Sequence, residues 1–584
     1  MIDTLKNSFI SEPIAGLKLE SSWKDAACSL KITNTKSEAQ VLDDIVLFKL
    51  KMPFPEKTPF YGEAYNKLSQ YKGSVNTFKN VTNYSDAGHY KLIQKEGFFT
   101  VYNFAHFYLS HDESYLFGFA SCHRFSGEIR FNHQNIEIAL KGEGVSIEAG
   151  ESVDLETFVC LEGEREAVLE QFGSYISSQH ARLNYPEAPT GWCSWYCYGP
   201  DVTDDDVFDN LQTIKKEMPE LKFIQIDDGY QNKMGDWLVP HPNFPGGVKE
   251  LCLKIKDEGF EPAIWVAPFI AEKDSDLFKK HPDWFVSDDR GEPLSSGDVS
   301  FGGWRFGPWY MLDGTHPEAR AYLQHVFSTI RNEWKCKYFK LDANMWGALP
   351  FGHRYEKNRT CIEAYRMGMQ AILDVIGEDG FLLGCNAPMW PSIGMVHGMR
   401  TTGDIARKWD IMKVLAEECF HRNWQNKHLW FNDPDCIVLE NLDNTVVGPD
   451  GVPIKTSTDI SEDEFSFHAA HMVASGGMML SSDKTMELSQ ENISKIKKMV
   501  QYTGKAARFD SSAFEVGRIE HTEGLILCLF NWGEFKNEYR IQIQHNSNIY
   551  DFWTDELLAE GVVQTPTLML PAHSGRVLFC KKTV

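Results

Sequence analysis

Over the first 165 residues apolar and polar positions alternate in short runs, as in Ser29-Leu30-Lys31-Ile32-Thr33, Phe98-Phe99-Thr100-Val101-Tyr102 and Ile136-Glu137-Ile138-Ala139-Leu140, with Asn, Gly and Ser between them. Alternation of period two, punctuated by turn formers, predicts antiparallel strands with one buried face, and a series of them predicts a β-sandwich. The period then changes. Val168, Leu169, Phe172 and Ile176 recur at helical spacing, which predicts one connecting helix over Glu164 to Leu183, and Tyr185-Pro186-Glu187-Ala188-Pro189 separates that helix from the central region.

From Gly191 the texture becomes strand, loop, helix. The strand candidates are Gly191 to Tyr196, Phe223 to Asp228, Ala263 to Phe269, Tyr310 to Asp313, Tyr338 to Asp342, Phe381 to Asn386, Gly398 to Asp404 and Leu429 to Asp435. Helical stretches such as Val207 to Met218, Gly247 to Glu258, Pro317 to Glu333 and Tyr355 to Ile376 follow many of them. Strands alternating with helices imply parallel pairing and right-handed crossovers, and eight such units imply a closed (β/α)8 TIM barrel. Gly476 to Asp483 reads as a buried segment closing that barrel, and Val447 to Ser457 as a polar, turn-rich loop at its mouth. Alternation returns after residue 505, in Gly524 to Leu529 and Tyr539 to Ile543. The expected plan is a multi-domain chain: an N-terminal β-sandwich with its connecting helix (1–185), a central α/β barrel (186–505) and a small C-terminal antiparallel β domain (506–584).

Composition narrows the function classes. A formal charge of −24 is the wrong sign for a nucleic-acid surface and suits a neutral ligand. No apolar run has the length of a signal sequence or a membrane span, and the thirteen cysteines show no Cys-x-x-Cys spacing, so reduced thiols, no metal and a cytoplasmic location are expected. With 16 Trp, 21 Tyr and 38 Phe the chain is rich in aromatic faces, the usual platforms for the apolar faces of sugars.

The candidate chemistry lies at two strand ends. Asp342 closes Tyr338-Phe339-Lys340-Leu341-Asp342, and Asp404 closes Met399-Arg400-Thr401-Thr402-Gly403-Asp404. Barrels place catalytic groups where strands give way to loops, and glycoside cleavage needs two carboxyl groups, one to meet the anomeric carbon and one to protonate the leaving oxygen. A lone Asp at a strand end more often caps a helix or forms a turn.

Further residues carry a resemblance. Gly191-Trp192-Cys193-Ser194-Trp195-Tyr196, Ile226-Asp227-Asp228-Gly229-Tyr230-Gln231, Gly235-Asp236-Trp237, Ile264-Trp265-Val266-Ala267-Pro268-Phe269, His281-Pro282-Asp283-Trp284, Tyr338 to Asp342, Met399-Arg400 and Asn432-Asp433-Pro434-Asp435-Cys436 stand in an order that resembles the motif set of glycoside hydrolase family 36, the α-galactosidase family. The resemblance covers roughly residues 190 to 440. It implies the same three-domain plan and a retaining, exo-acting hydrolysis of terminal α-galactosides of the raffinose and melibiose type. Asp342 would be the nucleophile and Asp404 the general acid and base, with no cofactor.

The resemblance further implies that Asp227 and Asp228 grip sugar hydroxyls and that Trp237 and Trp265 wall the subsite. For the Asp pair, capping the next helix or binding a barrel lysine stays open. Lys340 is expected to keep Asp342 ionised or to serve as a core ion-pair partner, and Arg400 to face substrate hydroxyls while apolar or anionic neighbours raise Asp404. Cys385 matches a loop near the sugar's C2 group. There the pattern departs from the family, because Asn386 stands where a glycine is expected, and Thr402-Gly403-Asp404 departs from Gly-Pro-Asp. Fit at C2 therefore leaves an α-N-acetylgalactosaminidase open. An α-galactosyltransferase and a non-catalytic carbohydrate-binding barrel stay open as well.

Overall fold

A computed structural model of the chain describes every residue except 83, 448–452, 503 and 584. Eight parallel strands form the central sheet: β1 (Thr190–Cys193), β2 (Phe223–Ile226), β3 (Glu261–Val266), β4 (Tyr338–Leu341), β5 (Phe381–Gly384), β6 (Gly398–Arg400), β7 (Phe431–Asp433) and β8 (Met479–Ser481). Their order is β7-β6-β5-β4-β3-β2-β1-β8, and a parallel bridge between Ile437 and Ser481 brings the two ends together, so the sheet closes as a TIM barrel.

The expected number of strands is right, but one member differs. Tyr310 to Asp313 lies outside the barrel: Trp309–Met311 pairs antiparallel with Ile270–Glu272 in a two-stranded extension of the long β3 to β4 connection. The eighth place belongs to Met479–Ser481, which pairs with β1. Both are short apolar runs, and pattern alone does not distinguish a barrel strand from an excursion of that length.

The outer helices begin where the sequence offers caps. Thr203 and Asp206 form a reciprocal capping box for Asp204–Glu217, as do Thr360 and Glu363 for Cys361–Ile376 and Ser461 and Glu464 for Glu462–Ser475. Each helix turns an apolar stripe inward, for example Val207, Leu211 and Ile214. The stretch Val447 to Ser457 is not simply a loop: Pro453–Ser457 pairs antiparallel with Asp443–Val447, while 448–452 lie outside the described residues.

The N-terminal region forms two antiparallel sheets packed face to face over a core that includes Phe48, Phe107, Phe117, Ile129, Phe131 and Ile138. A helix, Arg165–Gln179, capped by the Glu164 carboxylate, leads to the barrel, and its Phe172 packs between Trp390 and Trp424. The last region, from Arg508 to Lys582, is a six-stranded antiparallel sheet with a small companion pair, over Leu527, Leu529, Ile549 and Leu578.

What positions the site is the seam between sandwich and barrel. Past the sandwich strand Pro59–Glu63, the chain runs over the barrel rim: Asn66 bridges Pro388, the Lys67 N–H donates to the Ala387 carbonyl at 3.2 Å, and the Tyr65 hydroxyl donates to the Ala348 carbonyl at 3.0 Å. Beneath it, Glu63 and Arg422 form an ion pair with both side chains at 0% exposure.

Candidate active site

Asp342 is the first residue past β4. Its N–H donates to the Val266 carbonyl at 2.8 Å, which keeps the chain in register with β3 for one more step. The carboxylate then receives the Trp265 indole N–H at 3.1 Å on one oxygen and the Ala343 N–H at 2.7 Å on the other. Trp265 is therefore a hydrogen-bond donor to Asp342. The turn has a conformational cost, because Ala343 adopts φ +53°, a left-handed conformation worth about 1–2 kcal/mol against a residue with a Cβ. That strain lies beside the half-buried carboxylate, where it turns the chain abruptly off the strand.

Asp404 lies on the rim four residues past the end of β6, with 63% of its side chain open to solvent. Arg400, the last residue of β6, organises it. Its Nε binds Asp433 at 2.8 Å, its Nη2 lies 2.9 Å from Asp435, and its Nη1 donates to Asp404 at 3.2 Å. The expected separation of Arg400 from the acid is thus corrected: one guanidinium spans three carboxylates. The surrounding protein pushes the Asp404 carboxyl up, but the cations Lys67, Arg400 and Lys340, helped by Tyr196, outweigh it and hold the group below the ordinary aspartate value. Asp435 goes the other way, raised by burial despite Arg400; it receives the Tyr196 hydroxyl at 2.5 Å and the Ile405 N–H at 2.7 Å.

Asp227 and Asp228 follow β2, which ends at Ile226, so strand alternation no longer sets their directions. Asp227 accepts from Lys340 at 2.8 Å and from Gln225 at 2.7 Å, with the lysine almost fully buried. Lys340 is therefore the partner of Asp227 and not of Asp342. Asp228 accepts from Gln231 at 2.6 Å and from Arg305 at 2.8 Å on the same oxygen, leaving its buried Oδ2 without a hydrogen-bond partner. Burial raises its carboxyl, with Arg305 opposing. A buried carboxylate oxygen without a donor is an acceptor in want of one.

Trp237 is wholly buried and meets Trp265 edge to face at 5.8 Å, so it packs against Trp265 inside the protein. Cys385 is a buried thiol pushed up to about 12 by desolvation, a small packed group. Its neighbour Asn386 has φ +41°, and its side-chain oxygen receives Tyr90 at 2.6 Å and Asn66 at 3.2 Å. With the oxygen occupied by two donors from the sandwich, the amide NH2 is what Asn386 has left to offer.

Contributors to which the sequence reading gave no role include Asn66, Lys67, Tyr90, Arg305 and Asp435. Lys67 lies 4.0 Å from Asp404 and donates to the Thr402 carbonyl at 2.9 Å. Asp435 carried a signal, its place in the Asn-Asp-Pro-Asp-Cys motif. The other four had none, since they arrive from a different domain or from an irregular loop.

Comparison with known proteins bears on the fold and the family around this site. The melibiase family model matches residues 166–379. The bifunctional α-galactosidase/sucrose kinase AgaSK of Mediterraneibacter gnavus is 26% identical over 189 residues, 30% of this chain and 19% of that protein, so the matched stretch spans about a fifth of the relative's length. The fold resembles that of TtGalA, an α-galactosidase from Thermus thermophilus in complex with p-nitrophenyl α-D-galactopyranoside, with TM-score 0.64 at 20% identity over 86% of this chain and 98% of that one. It likewise resembles the GH36 α-galactosidase AgaA of Geobacillus stearothermophilus, with TM-score 0.66 at 13% identity over 97% and 82%. With a melibiase match over residues 166–379 and this set of motifs in order along one barrel, the chain is similar to the α-galactosidases in sequence over that stretch and in fold over nearly its whole length.

Proposed function

We propose that this protein is a retaining, exo-acting α-galactosidase that hydrolyses terminal α-galactosyl residues of oligosaccharides. The observation that carries the reading is the pair of carboxylates on one barrel rim in unlike settings. Asp342 is fixed by an indole and a backbone N–H, while Asp404 is open to solvent and ringed by cations. Asp342 attacks the anomeric carbon as Asp404 gives its proton to the departing oxygen, so one C–O bond forms as another breaks. Asp404, now ionised, takes a proton from water, whose oxygen displaces Asp342 and releases the sugar.

Asp228 serves as the acceptor for a sugar hydroxyl, since such a donor completes its unpaired oxygen, and Asp227 is held in place by its ion pair with Lys340. A hydroxyl in the wrong place leaves that oxygen unpaired, which makes the pocket selective. TtGalA binds stachyose, an oligosaccharide consistent with the substrate class proposed here. No described helix is long and apolar enough to cross a membrane. A cytoplasmic location belongs to the same reading, on the support of thirteen buried thiols.

The uncommitted amide NH2 of Asn386 supports a second reading at C2, because it can donate to a galactose hydroxyl or to an N-acetyl carbonyl. Nitrophenol release from α-galactoside and α-N-acetylgalactosaminide substrates, side by side and with the Asp342→Ala protein as control, tests both. Galactoside turnover abolished in the variant supports the main reading, preference for the N-acetyl substrate supports the second, and turnover of neither refutes both.

A further inference from the structure

We infer that Lys67, supplied by the N-terminal sandwich, is a positioning residue for Asp404: it fixes the rim loop that carries this carboxylate and holds it ionised in the resting protein. The inference rests on the role proposed above for Asp404. Lys67 is almost fully buried, yet its Nζ emerges 4.0 Å from a carboxylate that is 63% exposed. The same ammonium donates to the Thr402 carbonyl, two residues before Asp404, at 2.9 Å. The backbone of Lys67 is itself clamped, its N–H on the Ala387 carbonyl at 3.2 Å and its carbonyl receiving Arg422 at 2.6 Å. A buried lysine held at both backbone groups has few other places to put its charge.

The groups facing Asp404 come from every side. Arg400 from β6 touches it at 3.2 Å, Lys340 from β4 adds positive charge from farther away, and Tyr196, past β1, contributes a hydroxyl. Asp433 and Asp435, from the β7 end, share Arg400 and oppose the ionisation of Asp404. Arg400 divides its charge among three carboxylates, whereas Asp404 is the one carboxylate paired with Lys67 among the described residues. Lys67 thus offsets the like charges from the β7 end. The consequence for the reaction is directional. An ionised Asp404 is ready as the base of the second step, while as the acid of the first step it has to gain a proton, so kcat/KM for poor leaving groups rises as pH falls.

The test is the titration of the Asp404 side-chain carboxyl carbon by 13C NMR, in protein labelled at aspartate carboxyls, with the resonance assigned by its loss in D404N. In Lys67→Gln the amide still donates to the Thr402 carbonyl but the charge is gone, and the midpoint is expected to rise by about 0.7 of a pH unit or more, the effect of one charge at 4 Å in a water-like dielectric. Lys67→Arg, which keeps the charge, should restore the wild-type midpoint. The alkaline limb of kcat/KM on an α-galactoside with a sugar leaving group, such as melibiose, should move upward in Lys67→Gln alone. An unchanged midpoint in folded Lys67→Gln overturns the inference; if that variant does not fold, a wild-type Asp404 midpoint at or above about 3.9, the ordinary aspartate value, overturns it. The titration needs no turnover, so absence of α-galactosidase activity with a shifted midpoint refutes the functional reading and leaves the role of Lys67 standing.

Discussion

Glu63→Gln is the sharpest perturbation of the seam on which the site depends. Glu63 receives four hydrogen bonds: from Arg422 Nη2 at 2.5 Å and the Ala64 N–H at 3.0 Å on one oxygen, and from Arg422 Nε and Gln425 Nε2, both at 3.1 Å, on the other. All four neighbours are donors, so the new amide nitrogen faces a donor wherever it turns. The Arg422 guanidinium, at 0% exposure, is left without its counter-charge. Breaking one half of such a pair costs about 3–5 kcal/mol, a large part of the roughly 5–15 kcal/mol that holds a typical domain folded. Urea unfolding followed by circular dichroism and by tryptophan fluorescence measures it, two probes being needed because a chain of several domains need not unfold in one step. With slopes of about 1–3 kcal/mol per molar, the midpoint of the first transition should fall by about 1 M or more. Replacing both members, Glu63→Met with Arg422→Met, should recover much of the loss, since no buried charge is then stranded. A loss below about 1 kcal/mol in Glu63→Gln, or a double variant no better than the single one, would refute the reasoning.

Three other outcomes follow from the geometry. Asp342→Asn should lower kcat by at least about 10^4-fold on an α-galactoside, as loss of the proposed nucleophile requires, while the protein stays folded by circular dichroism. Arg305→Ala should raise KM about tenfold or more with a smaller change in kcat, because Asp228 loses the cation that orders it; an unchanged KM in steady-state kinetics would exclude that role. Glu418, which accepts the Gly403 N–H at 2.6 Å, is pushed by burial from 4.5 up to about 7. Between those values the folded chain holds a proton that the unfolded chain has lost, so stability falls as pH rises through this window. Glu418→Gln should remove that decline, worth about 3 kcal/mol, in denaturation midpoints measured from pH 4.5 to 8.

The fold was largely legible because its cues are local. The capping boxes at Thr203, Thr360 and Ser461 and the stripe of Val207, Leu211 and Ile214 depend on neighbours within a few turns. The run that pattern misassigned to the barrel, Tyr310 to Asp313, and the strand that takes its place, Met479–Ser481 within the segment read as closing the barrel, are both too short for any period to show. Within the site, the places of Asp342 and Asp404 past β4 and β6 could be read, since they need only a strand and its end. The partner of Lys340 could not: alternation turns the lysine inward, but whether it meets Asp342 or Asp227 depends on how neighbouring strands are staggered. Asn66, Lys67 and Tyr90 reach their partners across 296 to more than 330 residues of chain, and no spacing rule spans that distance.

On the function proposed above, the way Asn66, Lys67 and Tyr90 lean over the barrel rim would make catalytic competence a reporter of assembly. A barrel folded correctly but undocked would keep both rim aspartates, yet it would lack the cation beside one of them and the brace on Asn386. Such a chain would resemble the finished protein in its helix content and differ from it in chemistry. Partly assembled molecules would thus be silent towards glycosides. Limited proteolysis at the linker, or mild denaturant, should extinguish turnover before the barrel itself melts. By the same logic, exchange of the sandwich between relatives would transplant part of the acid–base setting along with a domain that carries neither of the two rim aspartates.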